Sequence, residues 1–172
     1  MTAIGCTDSG DENTNSQSIG DSPQTGENSS QDQENLSTST TTSVNQDAEW
    51  IAAMQAQSNI IQEDFAGISS CQDPFDVEGL AKWGQIFVDD TQKAIEENDN
   101  YTVSPAIDKA KEHWVIALRN YNSAGQFTVI GANAYLNGDE TSASTNFQKA
   151  STFLNTGNAN VNLTTSYIKS NS

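Results

Sequence analysis

Residues 137–168 read NGDETSASTNFQKASTFLNTGNANVNLTTSYI, and this stretch decides the fold. Within it Ala143, Phe147, Ala150, Leu154, Gly157, Val161, Thr164 and Ile168 recur at alternating intervals of 4 and 3. Such a repeat marks one face of an α-helix packed along a neighbour. Asn137-Gly138-Asp139 ahead of it is a stop and a start. Gly138 suits the left-handed cap of a preceding helix, and Asp139 suits the N-cap of the next, with Glu140 in its first turn. The expected helix covers 140–168. Its last two turns are expected to fray, because β-branched and Asn residues rise after Asn155.

The same grammar extends upstream. Ser104-Pro105 pairs an N-cap with a first-turn proline and opens a helix over 105–136, with Ile107, Trp114, Tyr121, Gly125, Thr128, Ala132 and Tyr135 on one face. Gly125 and Gly131 each cost about 1 kcal/mol against Ala, which close approach of a second helix explains better than a hinge. The run 126–130 is β-prone but in register with this helix, so it is kept helical. Asp73-Pro74 starts a helix over 75–98 with Val77, Leu80, Phe87, Thr91 and Ile95 inward. Glu96 and Glu97 oppose the macrodipole, so its C-terminus is expected to fray. Asp47 caps a helix over 47–70 with Trp50, Met54, Ile61, Phe65 and Ile68 inward. Four helices with short links predict an all-α, up-down-up-down four-helix bundle over 47–172. Large aromatics fall opposite Ala and Gly, and about 125 residues suffice for one core.

The rest of the chain differs in kind. Residues 1–46 hold no Lys, no Arg and no aromatic, whereas all thirteen aromatics lie between Trp50 and Tyr167. The acids there are Asp8, Asp11, Glu12, Asp21, Glu27, Asp32 and Glu34, and the apolar Ile19, Leu36 and Val44 stand alone. Such a stretch buries too little to offset an ordering entropy of roughly 1–2 kcal/mol per residue, so a disordered N-terminal tail is expected. The net charge of −16 therefore has two sources: seven acids in the tail, and sixteen acids against seven bases, a net −9, in the domain. This balance argues against nucleic acid and anionic lipid headgroups as ligands. No apolar run reaches the roughly 18 residues of a membrane span.

Reactive chemistry is sparse. A di-iron bundle needs Glu-x-x-His pairs, but three residues before the single histidine, His113, stands Ala110. Glu112 and His113 point roughly 100° apart on a helix and do not share a metal easily. Asp89-Asp90, Glu96-Glu97 and Asp139-Glu140 are adjacent acids that face apart rather than converge. No phosphate loop, calcium loop or nucleophile–base spacing is present, so no catalytic, metal or cofactor residue is assigned. Cys71 reads as a small apolar side chain near a helix end. Sequons at Asn28, Asn35, Asn100 and Asn162 are about as many as chance gives, and are possible glycosylation sites if the chain is exported.

Ala3-Ile4-Gly5-Cys6 resembles a lipobox, and Cys, then a polar acidic tail, then a compact domain resembles the layout of small lipoproteins of archaea and Gram-positive bacteria. The resemblance implies lipidation at Cys6 after removal of a signal peptide, and a membrane partner through that anchor. It implies a place on the extracellular face of the cell membrane for a non-catalytic module that binds a protein or small molecule. An acidic, Lys-poor surface also fits a salt-tolerant archaeon. Two alternatives are a soluble cytosolic bundle with an acidic interaction tail, and a metal- or cofactor-carrying bundle.

Overall fold

A computed structural model describes residues 45–171. They form α1 (Asp47–Ser70), α2 (Val77–Asn98), α3 (Pro105–Leu136) and α4 (Glu140–Ser170). The all-α expectation is met, and each helix runs against its predecessor. Trp50 meets Asn98 while Gly67 meets Trp83, so α1 and α2 are antiparallel. Gly131 meets Phe147 while Tyr121 meets Gly157, so α3 and α4 are too. The close pairs are α1 with α2, α2 with α3, and α3 with α4. α2 and α3 are therefore the two inner helices, and α3 buries Ile107, Trp114, Leu118, Tyr121 and Thr128 among others.

The heptad of α4 resolves into two lines. Ala143, Ala150, Gly157 and Thr164 are buried, while Phe147, Leu154, Val161 and Ile168 are half-buried beside them. Small residues thus form the contact line, and neighbouring rings fill the space they leave. A Cβ on Gly157 would lie 2.5 Å from the Tyr121 ring, and one on Gly131 would lie 2.7 Å from Phe147. Gly84 and Gly125 bring α2 and α3 together: a Cβ on Gly125 would lie 3.0 Å from the Gly84 carbonyl. Close packing, not a hinge, accounts for the α3 glycines.

Several ends differ from the sequence reading. α2 starts at Val77, and its cap is Asp76, whose carboxylate accepts from the Gly79 amide at 2.8 Å. Residues 71–76 turn back first, closed by the Asp76 amide on the Cys71 carbonyl, so Asp73-Pro74 lies in the link. Asp47 does not cap its own helix. Its carboxylate accepts from the amide and hydroxyl of Ser104, both at 2.7 Å, and ties the start of α3 to α1. The α2 terminus does not end in a loose turn: Asn98 is buried and bonded across the bundle, and that offsets the unfavourable acids. α4 continues to Ser170, because Thr164 is buried and the Tyr167 ring stacks on His113 at 5.4 Å. The turn between α3 and α4 follows its grammar. Gly138 has φ +78°, the Asp139 amide reaches back to the Ala134 carbonyl, and the Asp139 carboxylate accepts from the Ser142 amide.

Candidate functional site

The two ends of the bundle are built from the same residue types in opposite ways. At the end holding the α2–α3 link, the core closes around a polar network. The Trp50 indole donates to Asn98 Oδ1 at 2.7 Å, and the Trp114 indole to Gln57 Oε1 at 2.8 Å. Asn98 Nδ2 donates to the same Gln57 oxygen and to the Ala94 carbonyl, and Gln57 Nε2 donates to Glu97. Two indoles and two amides therefore join α1, α2 and α3 with their polar atoms paired, as burial requires.

At the other end, a cleft opens between α4 and the junction of α1 with α2. Its outer part, about 640 Å³, is lined by Phe75, Tyr135, Glu140, Ala143, Ser144, Phe147, Gln148 and Ser151. A deeper part of about 410 Å³ adds Ile68, Leu80 and Leu154, with Thr128 of α3. Both sizes lie in the range of ligand sites, roughly 300–1,000 Å³. Phe75, Phe147 and Ser151 border both parts. Phe75 is 50% exposed and meets the Tyr135 ring edge-on at 5.2 Å, with Tyr135 itself 42% exposed. Glu140 is the one charged residue lining the cleft, and Asp139 beside it, with Asp73 and Asp76 flanking Phe75 in the chain, is also exposed. Hydrogen bonds from Ser142 hold the Asp139 carboxyl below the usual carboxylate range, so that charge persists into acid.

The residues singled out from the sequence do not gather here. His113 is half-buried on α3, its Nδ1 3.0 Å from Asn160 Oδ1. Met54 is on α1 against the core, and Cys71 is buried with its thiol on the Gly67 carbonyl. Asn100 is exposed in the α2–α3 link and Asn162 on α4. Cys6, Asn28, Asn35 and the whole expected tail lie outside the described residues. Among the described residues, no group of three His, Cys, Asp or Glu is placed to hold a metal ion, and no helix is long and apolar enough to cross a membrane. The sequence reading missed the cleft. It placed Tyr135 on the inward face of the third helix and Phe75 at the start of the second, whereas the structure leaves Tyr135 42% exposed and Phe75 50% exposed in the link before Val77. Leu136 at the end of α3 was an apolar residue outside the core stripes.

The chain belongs to the family described as plant-specific mitochondrial import receptor subunit TOM20, whose model matches residues 63–172. That stretch takes in the end of α1 and all of α2, α3 and α4. No curated protein and no solved structure matches the chain.

This membership corrects the functional reading. The family is one of mitochondrial import receptors, so the extracellular, lipid-anchored lipoprotein of archaeal type falls. Both alternatives, the cytosolic bundle with an acidic interaction tail and the metal- or cofactor-carrying bundle, fall with it. The physical reason lies in information content. Four residues ahead of a polar tail specify little, whereas the family match spans three whole helices. What survives of the partner expectation is its coarse form, interaction with other proteins.

Proposed function

We propose that this chain is a non-catalytic receptor module that binds the targeting segment of a precursor polypeptide in the cleft between α4 and the α1–α2 junction. Mitochondrial targeting segments are amphipathic, rich in Arg and poor in acids. A helix of that kind lays its apolar face in an apolar groove and keeps its cations outside. The open aromatic cleft lined by Glu140, with the exposed Asp139 next to it in the chain, is the observation that carries this reading. The domain's net −9 adds long-range attraction for a cationic segment and none for an acidic one. Binding here breaks no covalent bond: its chemistry is apolar burial plus screened charge pairing.

The test is a titration of the full chain with a fluorescent basic amphipathic peptide, beside an acidic peptide of the same apolar pattern. Saturable binding of the basic peptide, weakening with salt, is expected. Ser151 is exposed and borders both parts of the cleft, so Ser151→Trp should weaken binding about tenfold or more with helical circular dichroism unchanged. Equal binding of the acidic peptide, or indifference to Ser151→Trp, would overturn the reading.

A further inference from the structure

Asp64 lies in α1 at 3% exposure, and its Oδ2 is the one buried side-chain polar atom among the described residues that lacks a hydrogen-bond partner. Its surroundings make this unusual. Gln57, Thr91, Asn98 and Asn122, buried around the same three-helix core, are all bonded. The charged groups acting on Asp64 are Asp90, on α2, and Glu63, its neighbour on α1, and both are negative. α3 meets this part of α1 through Tyr121, whose ring edge packs on Phe65. Burial pushes the Tyr121 phenol up to about 12, so it stays neutral. Three residues beyond Asp64, Gly67 seats the Trp83 ring of α2 against the α1 backbone, where a Cβ would lie 2.2 Å from Trp83 Cδ2.

An ionised carboxylate at this point has neither a cation nor a full set of donors, and burial without such partners is costly. A protonated carboxyl carries no charge to desolvate. We infer that Asp64 is a proton-operated latch: protonated, it lets α1 seat on α2, and ionised, it loosens the C-terminal half of α1. That half and the link after it supply Ile68, Gln72 and Phe75 to the cleft wall. The latch would thereby tune ligand binding, a consequence that rests on the cleft reading above.

Burial first, then Asp90 and Glu63, raises the Asp64 carboxyl from 3.8 to about 6. A folded-state value above the unfolded one means the folded chain holds the proton more tightly. The stabilisation is therefore fully present below about 4 and is lost as pH rises through about 6.

The test is amide hydrogen exchange on the full chain between pH about 5 and about 7.5, corrected for intrinsic rates. Protection of residues 61–70 relative to α3 should fall about tenfold or more as pH rises, and should stay level in Asp64→Asn. Carboxyl NMR should show Asp64 titrating near 6, and lower in Asp90→Asn. A midpoint near 4, or the same trend in Asp64→Asn, overturns the latch. These measurements need no ligand, so their failure is distinct from failure of the cleft reading. Peptide affinity that ignores pH while the exchange result holds would remove the coupling to the cleft.

Discussion

The closed and open ends of this bundle use aromatic residues to opposite purposes. At the closed end, Trp50 and Trp114 are 0% and 2% exposed, and each indole N–H has a buried acceptor. At the open end, Phe75, Tyr135 and Leu136 stay 42–50% exposed. An aromatic side chain carries large apolar area wherever it sits. Whether it serves stability or recognition is set by what covers it. Substitutions at the two ends should therefore separate the two properties.

The largest effect belongs to the closed end. Trp114→Ala removes a buried ring and leaves Gln57 with a missing donor, so a loss of about 3–5 kcal/mol is expected in urea unfolding. Asn98→Ala comes next. It deprives the Trp50 indole of its acceptor and Gln57 of a donor, for about 1–3 kcal/mol by the same measurement. Gly157→Ala pits two effects against each other. Helix propensity favours Ala by about 1 kcal/mol, but the new Cβ falls 2.5 Å from the Tyr121 ring, and overpacking costs about 1–3 kcal/mol. Clash should win, with a net loss of about 1 kcal/mol and a shifted Tyr121 near-ultraviolet signal. Phe75→Ala should be the smallest for stability, within about 0.5 kcal/mol, since the ring is half exposed. It should nonetheless weaken binding of the basic peptide several-fold. Should Phe75→Ala destabilise as much as Asn98→Ala, the contrast between the ends would fail.

Much of the fold was legible because helix burial is periodic. The line Ala143, Ala150, Gly157, Thr164 is visible in the chain, and so is the Gly138-Asp139 turn with its φ of +78°. Capping was less legible, because it depends on which polar group finds which amide. Asp47 looks like a local cap but reaches Ser104, 57 positions away, while Asp76 takes the role expected of Asp73. The cleft was not legible. Phe75, Phe147 and Leu80 have no spacing that marks them as one wall, since they meet only when α4 packs on α3 and leaves the α1–α2 junction open. Cys6 drew attention for its local motif, and a short motif says little about what a chain of 172 residues folds to do.

The sequence by itself determined four amphipathic helices, their antiparallel order and the charge asymmetry of the chain. These follow from local periodicity, short links and residue counts. Only the tertiary structure decided that one end would seal with its indoles paired while the other stayed open, and that Asp64 would be buried facing like charge. Both depend on distances between residues far apart in the chain, and packing sets those distances where spacing cannot.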